Sequence, residues 1–241
     1  MLPLPPAMLI DLDDTILRFG LRADLSAEVA LEFAKEAAPL EPEELAGQLE
    51  QAFNDFWADA ERHRISRLRP LAEVRRDIVG ALFARLSSRA PGLTHEAALR
   101  FADRFHFYRE GRLDFFPGAI EALDVFKARG IMLALVTNGR SLIQREKIKR
   151  FDLAHRFHHI QIEEEHGVGK PDERAYKHAM KVLGVEPQEC WMIGDNLEWE
   201  VAAPQSLGIY AIWYDGYGQG LPPGSSIKPD RIIRSLMELL E

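Results

Sequence analysis

Two acids, Asp11 and Asp13, stand two residues apart directly after the apolar run Met8-Leu9-Ile10. On a continuing strand they would point to opposite faces. A turn immediately after Asp11 would instead bring both carboxyls to one pocket, where one can attack while the other handles protons. Three more groups of reactive residue types follow in the chain: Thr137-Asn138-Gly139, Gly169-Lys170-Pro171, and Gly194-Asp195-Asn196 with Glu198 and Glu200 close behind. Asp11, Asp195 and Glu200 carry hard oxygen donors of the kind Mg²⁺ takes. Lys170 and the Thr137 hydroxyl are donors suited to phosphoryl oxygens. An acid after a strand often only caps the next helix, so one such group decides little. All four in this order are much harder to obtain by chance.

The elements that must position these groups are readable from periodicity. Four short apolar runs, at 8–10, 131–136, 190–193 and 209–213, with a weaker one at 159–162, read as strands covered on both faces. Helix-period segments lie between them; Pro117 opens one that ends before Gly130, and Pro171 opens another that ends before Gly184. The expected class is α/β, a Rossmann-like doubly wound parallel sheet, in which ligands bind beyond the carboxyl ends of the strands. The stretch from Leu21 to Arg112 has no strand run. It reads as amphipathic helices at 26–38, 42–60, 71–87 and 94–108, punctuated by Pro39, Pro70 and Pro91-Gly92. An inserted all-α domain explains this more simply than tandem domains. The expected division is a core of 1–18 and 113–241 and an α-helical insertion of 19–112.

On these residues the chain resembles the haloacid dehalogenase-like superfamily, in its phosphatase branch. Asp11-Leu12-Asp13-Asp14-Thr15 matches the first motif, Thr137-Asn138-Gly139 the second, Lys170 the third, and Gly194-Asp195 through Glu200 the fourth. The helical insertion falls where that family carries a cap, so the resemblance spans the whole chain. It implies that Asp11 attacks phosphorus to form an aspartyl-phosphate. Asp13 would protonate the leaving oxygen and then activate water. Mg²⁺ would be held by Asp11, the Asp13 backbone carbonyl and Asp195, with Glu200 in the metal set. Thr137 and the backbone of Asn138, beside Gly139, would bind the phosphoryl group, and Lys170 would offset its charge. The cap would close over Asp11. The implied substrate is a small phosphorylated metabolite, with phosphosugars, phosphoglycolate-like acids and nucleotides all open. Glu200 stands where the family more often has Asp; it could reach the metal directly, reach it through water, or only support Lys170. Pro204 lies early in the following helix, which should be short or kinked. Asp13 favours phosphate esters over carbon–halogen bonds. A phosphomutase-type phosphotransferase remains an alternative, and a non-catalytic binding protein a remoter one.

Other conspicuous residues have plainer readings. Asp14 reads as a turn residue, Thr15 as a cap or pocket residue, and Asn196 as a helix cap. Arg62-His63-Arg64, Arg67, Arg69 and Arg75-Arg76 could recruit a second anionic group on the substrate, but a salt-bridged helix surface is the preferred reading. Phe53, Phe56 and Trp57 share a helical face and read as the insertion's core rather than a stacking platform. Glu163-Glu164-Glu165-His166 reads as solvated loop or helix end, since consecutive residues do not share a side. His155, His158 and His159 lack a metal-binding spacing. The Gly-rich run 216–224 contains Pro222-Pro223, which prevents the helix start a phosphate cradle needs, and reads as a surface loop.

The 241 residues are 46% apolar and 28% charged, with a formal net charge of -8. That acidic balance argues against nucleic acid as a partner. The single cysteine, Cys190, excludes an intrachain disulfide and reads as a buried apolar residue. The short Pro-rich start lacks a basic, then apolar, leader pattern, and no apolar run approaches the roughly 20 residues a bilayer needs. The expectation is a cytoplasmic protein with no membrane partner. The sequence leaves the oligomeric state open.

Overall fold

Every position of β1 (Ala7–Ile10) is buried, as a strand covered on both faces requires. The chain then turns into β2 (Leu17–Arg18), leaves for a helical block, and returns as β3 (Asp114–Phe115), which pairs antiparallel with β2. The computed structural model describes residues 3–66 and 68–240, apart from the side chains of Ala58, Ala60, His63 and Arg64. These residues divide into two compact units. One runs up to Arg18 and resumes at Asp114; the other is Phe19–Leu113.

The second unit is helical: α1 (Arg22–Glu32), α2 (Ala34–Ala37), α3 (Pro42–Ala58), α4 (Ala60–Ser66), α5 (Leu71–Leu86) and α6 (His95–Gly111). Pro42 sits in the first turn of α3, where its missing N–H costs nothing. The Thr94 side chain caps α6 by accepting the Ala97 N–H at 3.1 Å. Periodicity alone carries α3 on to Ala60. The break comes at Asp59, whose carboxylate accepts the Arg62 N–H at 2.9 Å and starts α4. The core is aromatic. Phe33, Phe83 and Phe101 pack with ring centroids 5.0–5.4 Å apart, and Phe53 lies on Phe105 at 5.3 Å. Phe56 and Trp57 pack against that core, as their shared face implies.

The first unit continues with α7 (Ala119–Ala128), β4 (Met132–Thr137), α8 (Ser141–Arg150), β5 (His159–Ile162), α9 (Glu163–His166), α10 (Glu173–Leu183) and β6 (Cys190–Gly194). A wide π-helical turn over Leu197–Ala202 leads into α11 (Ala203–Ser206), β7 (Tyr210–Tyr214) and β8 (Arg231–Ile233). Six strands form one parallel sheet in the order β5-β4-β1-β6-β7-β8. The class is therefore the α/β one that the apolar runs imply. The edge strand β8 gives no such signal, because it is short and only Ile233 is buried. Two helix starts differ from expectation. α7 begins after Gly118, held at φ 77°, and α10 after Asp172, whose carboxylate accepts the Arg174 N–H; Pro117 and Pro171 precede these caps rather than open the helices. Pro204 falls in a helix of only four residues after the π turn, the short element its position demands. Among the described residues no helix is long and apolar enough to cross a membrane.

Candidate active site

The sheet register brings the four groups together. Ile10 pairs with Leu135 of β4 and with Ile193 of β6. Thr137 and Asp195 each lie two positions beyond those partners, level with the residues that follow Ile10. The Asp11 N–H still bonds the Ile193 carbonyl, at 3.0 Å. The strand then breaks: Asp14 takes φ 56° and its N–H bonds the Leu17 carbonyl at 2.6 Å. That turn puts Asp11 and Asp13 on one cavity of about 210 Å³, lined also by Asp14, Thr137, Asn138, Lys170, Asp195, Asn196, Trp199 and Glu200.

Lys170 is the hub. Its Nζ lies 2.5 Å from Asp11 Oδ1 and 2.7 Å from Glu200 Oε1, and its side chain is 1% exposed. Asn138 fixes the backbone beside it, donating Nδ2 to the Lys170 carbonyl at 2.7 Å and accepting the Lys170 N–H at 2.8 Å. The other oxygen of Glu200 accepts the Asn196 N–H at 2.8 Å. Both oxygens of Glu200 are thus engaged, one by Lys170 and one by the loop that carries Asp195. Gly194 makes this possible. A Cβ there would stand 2.1 Å from Glu200 Cγ. Asn196 caps the π turn, accepting the N–H groups of Glu198 and Trp199 at 3.0 and 3.1 Å. The Trp213 indole donates to the Asp195 carbonyl at 2.6 Å and steadies that loop.

The electrostatics are those of too many carboxylates for one ammonium. Burial pushes the Asp11 carboxyl up to about 7; Lys170 opposes this, while Glu200 and Asp13 add to it. Asp195 is open to water, yet it too is held well above the usual carboxylate range, first by the protein packed around the strand end and then by Glu200, Asp11 and Asp14. Burial alone would lower Lys170; Asp11 and Glu200 outweigh it and hold the ammonium charged. Excess negative charge on oxygen-only donors is what a divalent cation relieves. Among the described residues no group of three or more His, Cys, Asp or Glu could hold a metal ion. Mg²⁺ does not need one, since it commonly takes one or two carboxylates and keeps several waters. The donor set of Asp11 and Asp195 fits it.

Several contributors lie outside the motifs. Glu163, Glu164 and Glu165 form α9, and they are not merely solvated. Glu163 is buried and accepts the Gly139 N–H at 3.0 Å; Glu164 accepts the Ser141 N–H at 2.6 Å; Glu165 takes Arg145 at 2.6 and 2.8 Å. One helical turn fans its carboxylates onto the loop after β4 and the amide-rich start of α8. Gln144 and Lys147 of α8 both reach Asp13. The Tyr217 hydroxyl donates to Asp14 at 2.8 Å, so the Gly-rich segment is a loop, as expected, but one tied to the first motif. Thr15 is buried with no hydrogen-bond partner for its hydroxyl. Cys190 is buried and its thiol is pushed up to about 12 by that burial. In the helical unit, Arg62, Arg69 and Arg76 pair with Asp59, Asp77 and Asp103 at 3.5, 2.8 and 2.7 Å, in keeping with a salt-bridged surface. Arg75 is buried against Glu110, 3.4 Å away, and His106. Arg67 and the side chains of His63 and Arg64 lie outside the described residues.

A family model described as haloacid dehalogenase-like hydrolase matches residues 5–208. A phosphoserine phosphatase from Thermus thermophilus is 32% identical, over 96% of this chain and 96% of its own length. The pyrimidine 5'-nucleotidase PynA of Streptococcus pneumoniae is 28% identical, over 97% of this chain and 93% of its own. In structure, the HAD-hydrolase YfnB of Bacillus subtilis, solved bound to magnesium, superposes with a TM-score of 0.71 at 22% identity, over 98% of this chain and 97% of that one.

Proposed function

The chain belongs to the haloacid dehalogenase-like hydrolases and is a phosphatase, and from that premise we propose that it hydrolyses a small phosphomonoester through an aspartyl-phosphate on Asp11, with Mg²⁺ as cofactor. The observation that carries this reading is the Asp11–Lys170 contact of 2.5 Å on a cavity shared with Asp13 and Thr137. Lys170 orients one Asp11 oxygen and leaves the other to attack phosphorus. As the P–O ester bond breaks, Asp13 gives its proton to the leaving oxygen, which departs as the alcohol. Asp13, now a carboxylate, takes a proton from water, whose oxygen attacks the acyl phosphate. Inorganic phosphate leaves and Asp11 is restored. The Thr137 hydroxyl and the backbone N–H of Asn138 serve the equatorial phosphoryl oxygens, where charge accumulates; the Gly139 N–H is held by Glu163 at 3.0 Å and shapes the loop instead. Mg²⁺, held by Asp11, Asp195 and the Asp13 carbonyl, would supply positive charge shared between the carboxylates and the phosphoryl group. Glu200 acts on Lys170 rather than on the metal. A cytoplasmic setting belongs to the same proposal.

The relatives named for phosphoserine and for pyrimidine nucleotides put those esters first among substrates. The test measures phosphate released from phosphoserine, UMP, CMP and a phosphosugar, with Mg²⁺ and with EDTA. Release from at least one ester, dependent on Mg²⁺ and lowered about 10³-fold or more in Asp11→Asn, is the expected result. Full activity of Asp11→Asn would remove the mechanism. Transfer of the group between substrate positions without free phosphate would point to a mutase.

A further inference from the structure

Helix α8 buries two polar side chains beside its one buried apolar residue, Ile148. Leu142 is 70% exposed, whereas Gln144 and Lys147, three residues apart on one face, are 3% and 6% exposed. A helix that buries an amide and an ammonium while showing leucine to water breaks the usual pattern, and such local conflicts concentrate at functional sites. The buried face meets Asp13. Lys147 Nζ lies 2.8 Å from both Asp13 carboxylate oxygens. Gln144 Nε2 lies 3.0 Å from Asp13 Oδ2, 2.6 Å from Thr137 Oγ1 and 2.9 Å from the Asn138 carbonyl. Its Oε1 is buried without a hydrogen-bond partner. An amide has two hydrogens, so three acceptors cannot all be fully served. Any movement of Asp13 redistributes those hydrogens onto the phosphoryl-binding side.

We propose that Lys147 and Gln144 are the positioning pair for the acid–base Asp13: Lys147 fixes its carboxylate at the cavity wall, and Gln144 ties that position to Thr137. The inference rests on the reading of Asp13 as the group that protonates the leaving oxygen. Neither Lys147 nor Gln144 lines the cavity, so Lys147 acts on the substrate through Asp13, and Gln144 through Asp13 and Thr137. The expected consequence is selective. A leaving group that departs readily as an anion needs little from Asp13, whereas a poor one needs it fully. A residue that only holds α8 in place would affect both alike.

The experiment compares kcat/KM for p-nitrophenyl phosphate and phenyl phosphate, which reports the formation of the aspartyl-phosphate on a good and a poorer leaving group. In Lys147→Met, phenyl phosphate should lose about 30-fold and p-nitrophenyl phosphate less than about 3-fold, part of the roughly 10²–10⁴-fold that general acid catalysis contributes in full. Lys147→Arg should restore the ratio. Asp13→Asn should show the same asymmetry, larger. Gln144→Leu should move the ratio in the same direction by about 5-fold, and it decides the matter if Lys147→Met does not fold by circular dichroism. An unchanged ratio in the folded variant, whether both constants fall or neither does, overturns the proposal. Absence of phosphate release by the wild type from both aryl esters and also from phosphoserine, UMP, CMP and the phosphosugar would instead remove the functional reading, and the inference with it.

Discussion

The two units handle charge in opposite ways. In the helical unit most aromatic rings are inside and most ions outside, with Arg75 the buried exception. Arg104 pairs with Glu32 at 2.8 Å, with side chains 43% and 34% exposed. At the strand ends of the sheet unit the ions are inside. Lys170 pairs with Asp11 and Glu200 with side chains 1%, 10% and 1% exposed. An exposed pair gains little, because water already solvates both partners and the long side chains lose freedom. A buried pair costs desolvation that only its geometry offsets, and it is poor value for stability alone. Buried ions therefore mark the place where the fold gives up stability for chemistry.

The largest effect is expected for Lys170→Met. It leaves Asp11 and Glu200 facing each other without their ammonium. In EDTA, urea unfolding should show a loss of about 3–5 kcal/mol, and adding Glu200→Gln should return much of it. A loss no larger than that of a surface pair would mean the buried charges are compensated elsewhere. Gly194→Ala comes next. Its methyl would collide with Glu200 Cγ at 2.1 Å, so Glu200 must swing off Lys170, at a cost of about 1–3 kcal/mol. A crystal structure of that variant with Glu200 unmoved would refute the role given to Gly194.

The pH responses of the two units should have opposite signs. In metal-free protein the Asp11 carboxyl lies at about 7 against 3.8 in the unfolded chain, chiefly through burial. The folded state holds a proton that the unfolded state releases. This contribution is fully present below pH 3.8 and is lost as pH rises through about 7. His106 in the helical unit is lowered from 6.5, first by burial and then by Arg75. Its contribution is present above pH 6.5 and is lost as pH falls towards the folded value. Melting temperatures in EDTA should therefore favour Asp11→Asn over wild type increasingly with rising pH. His106→Gln should gain on wild type as pH drops below 6.5. A difference that stays flat with pH in either variant would contradict the assignment for that unit. The smallest effect belongs to Arg104→Ala, whose urea midpoint should stay close to that of wild type. A large shift would mean that the surface network carries more than exposed pairs do.

Much of the site is legible in the sequence because its signals are local. Asp11 and Asp13 announce themselves by following an apolar run, and Thr137 and Asp195 by following two others. Pro204 foretells a short helix by its ring alone. Glu200 is legible as a site residue but not in its role. Its contact with Lys170 depends on room left by Gly194, six residues away and bare of a Cβ. Glu163 reads as solvated because its neighbours are acidic too; only the meeting of α9 with the loop after β4 turns it inward. β8 and α4 escape a reading by periodicity because one is a short, half-exposed edge strand and the other starts at a single aspartate cap.

By itself, then, the sequence determined the parallel sheet, the place of the helical insertion and the acids at the strand ends. These follow from periodicity and from residues adjacent in the chain. Tertiary structure alone decided which way α8 faces. Its sequence offers Leu142, Ile143 and Ile148 among charged residues, with no clean apolar stripe to choose a side. Contacts with the strand ends chose the side bearing Gln144, Lys147 and Ile148, and so brought an ammonium to Asp13 from 134 residues away.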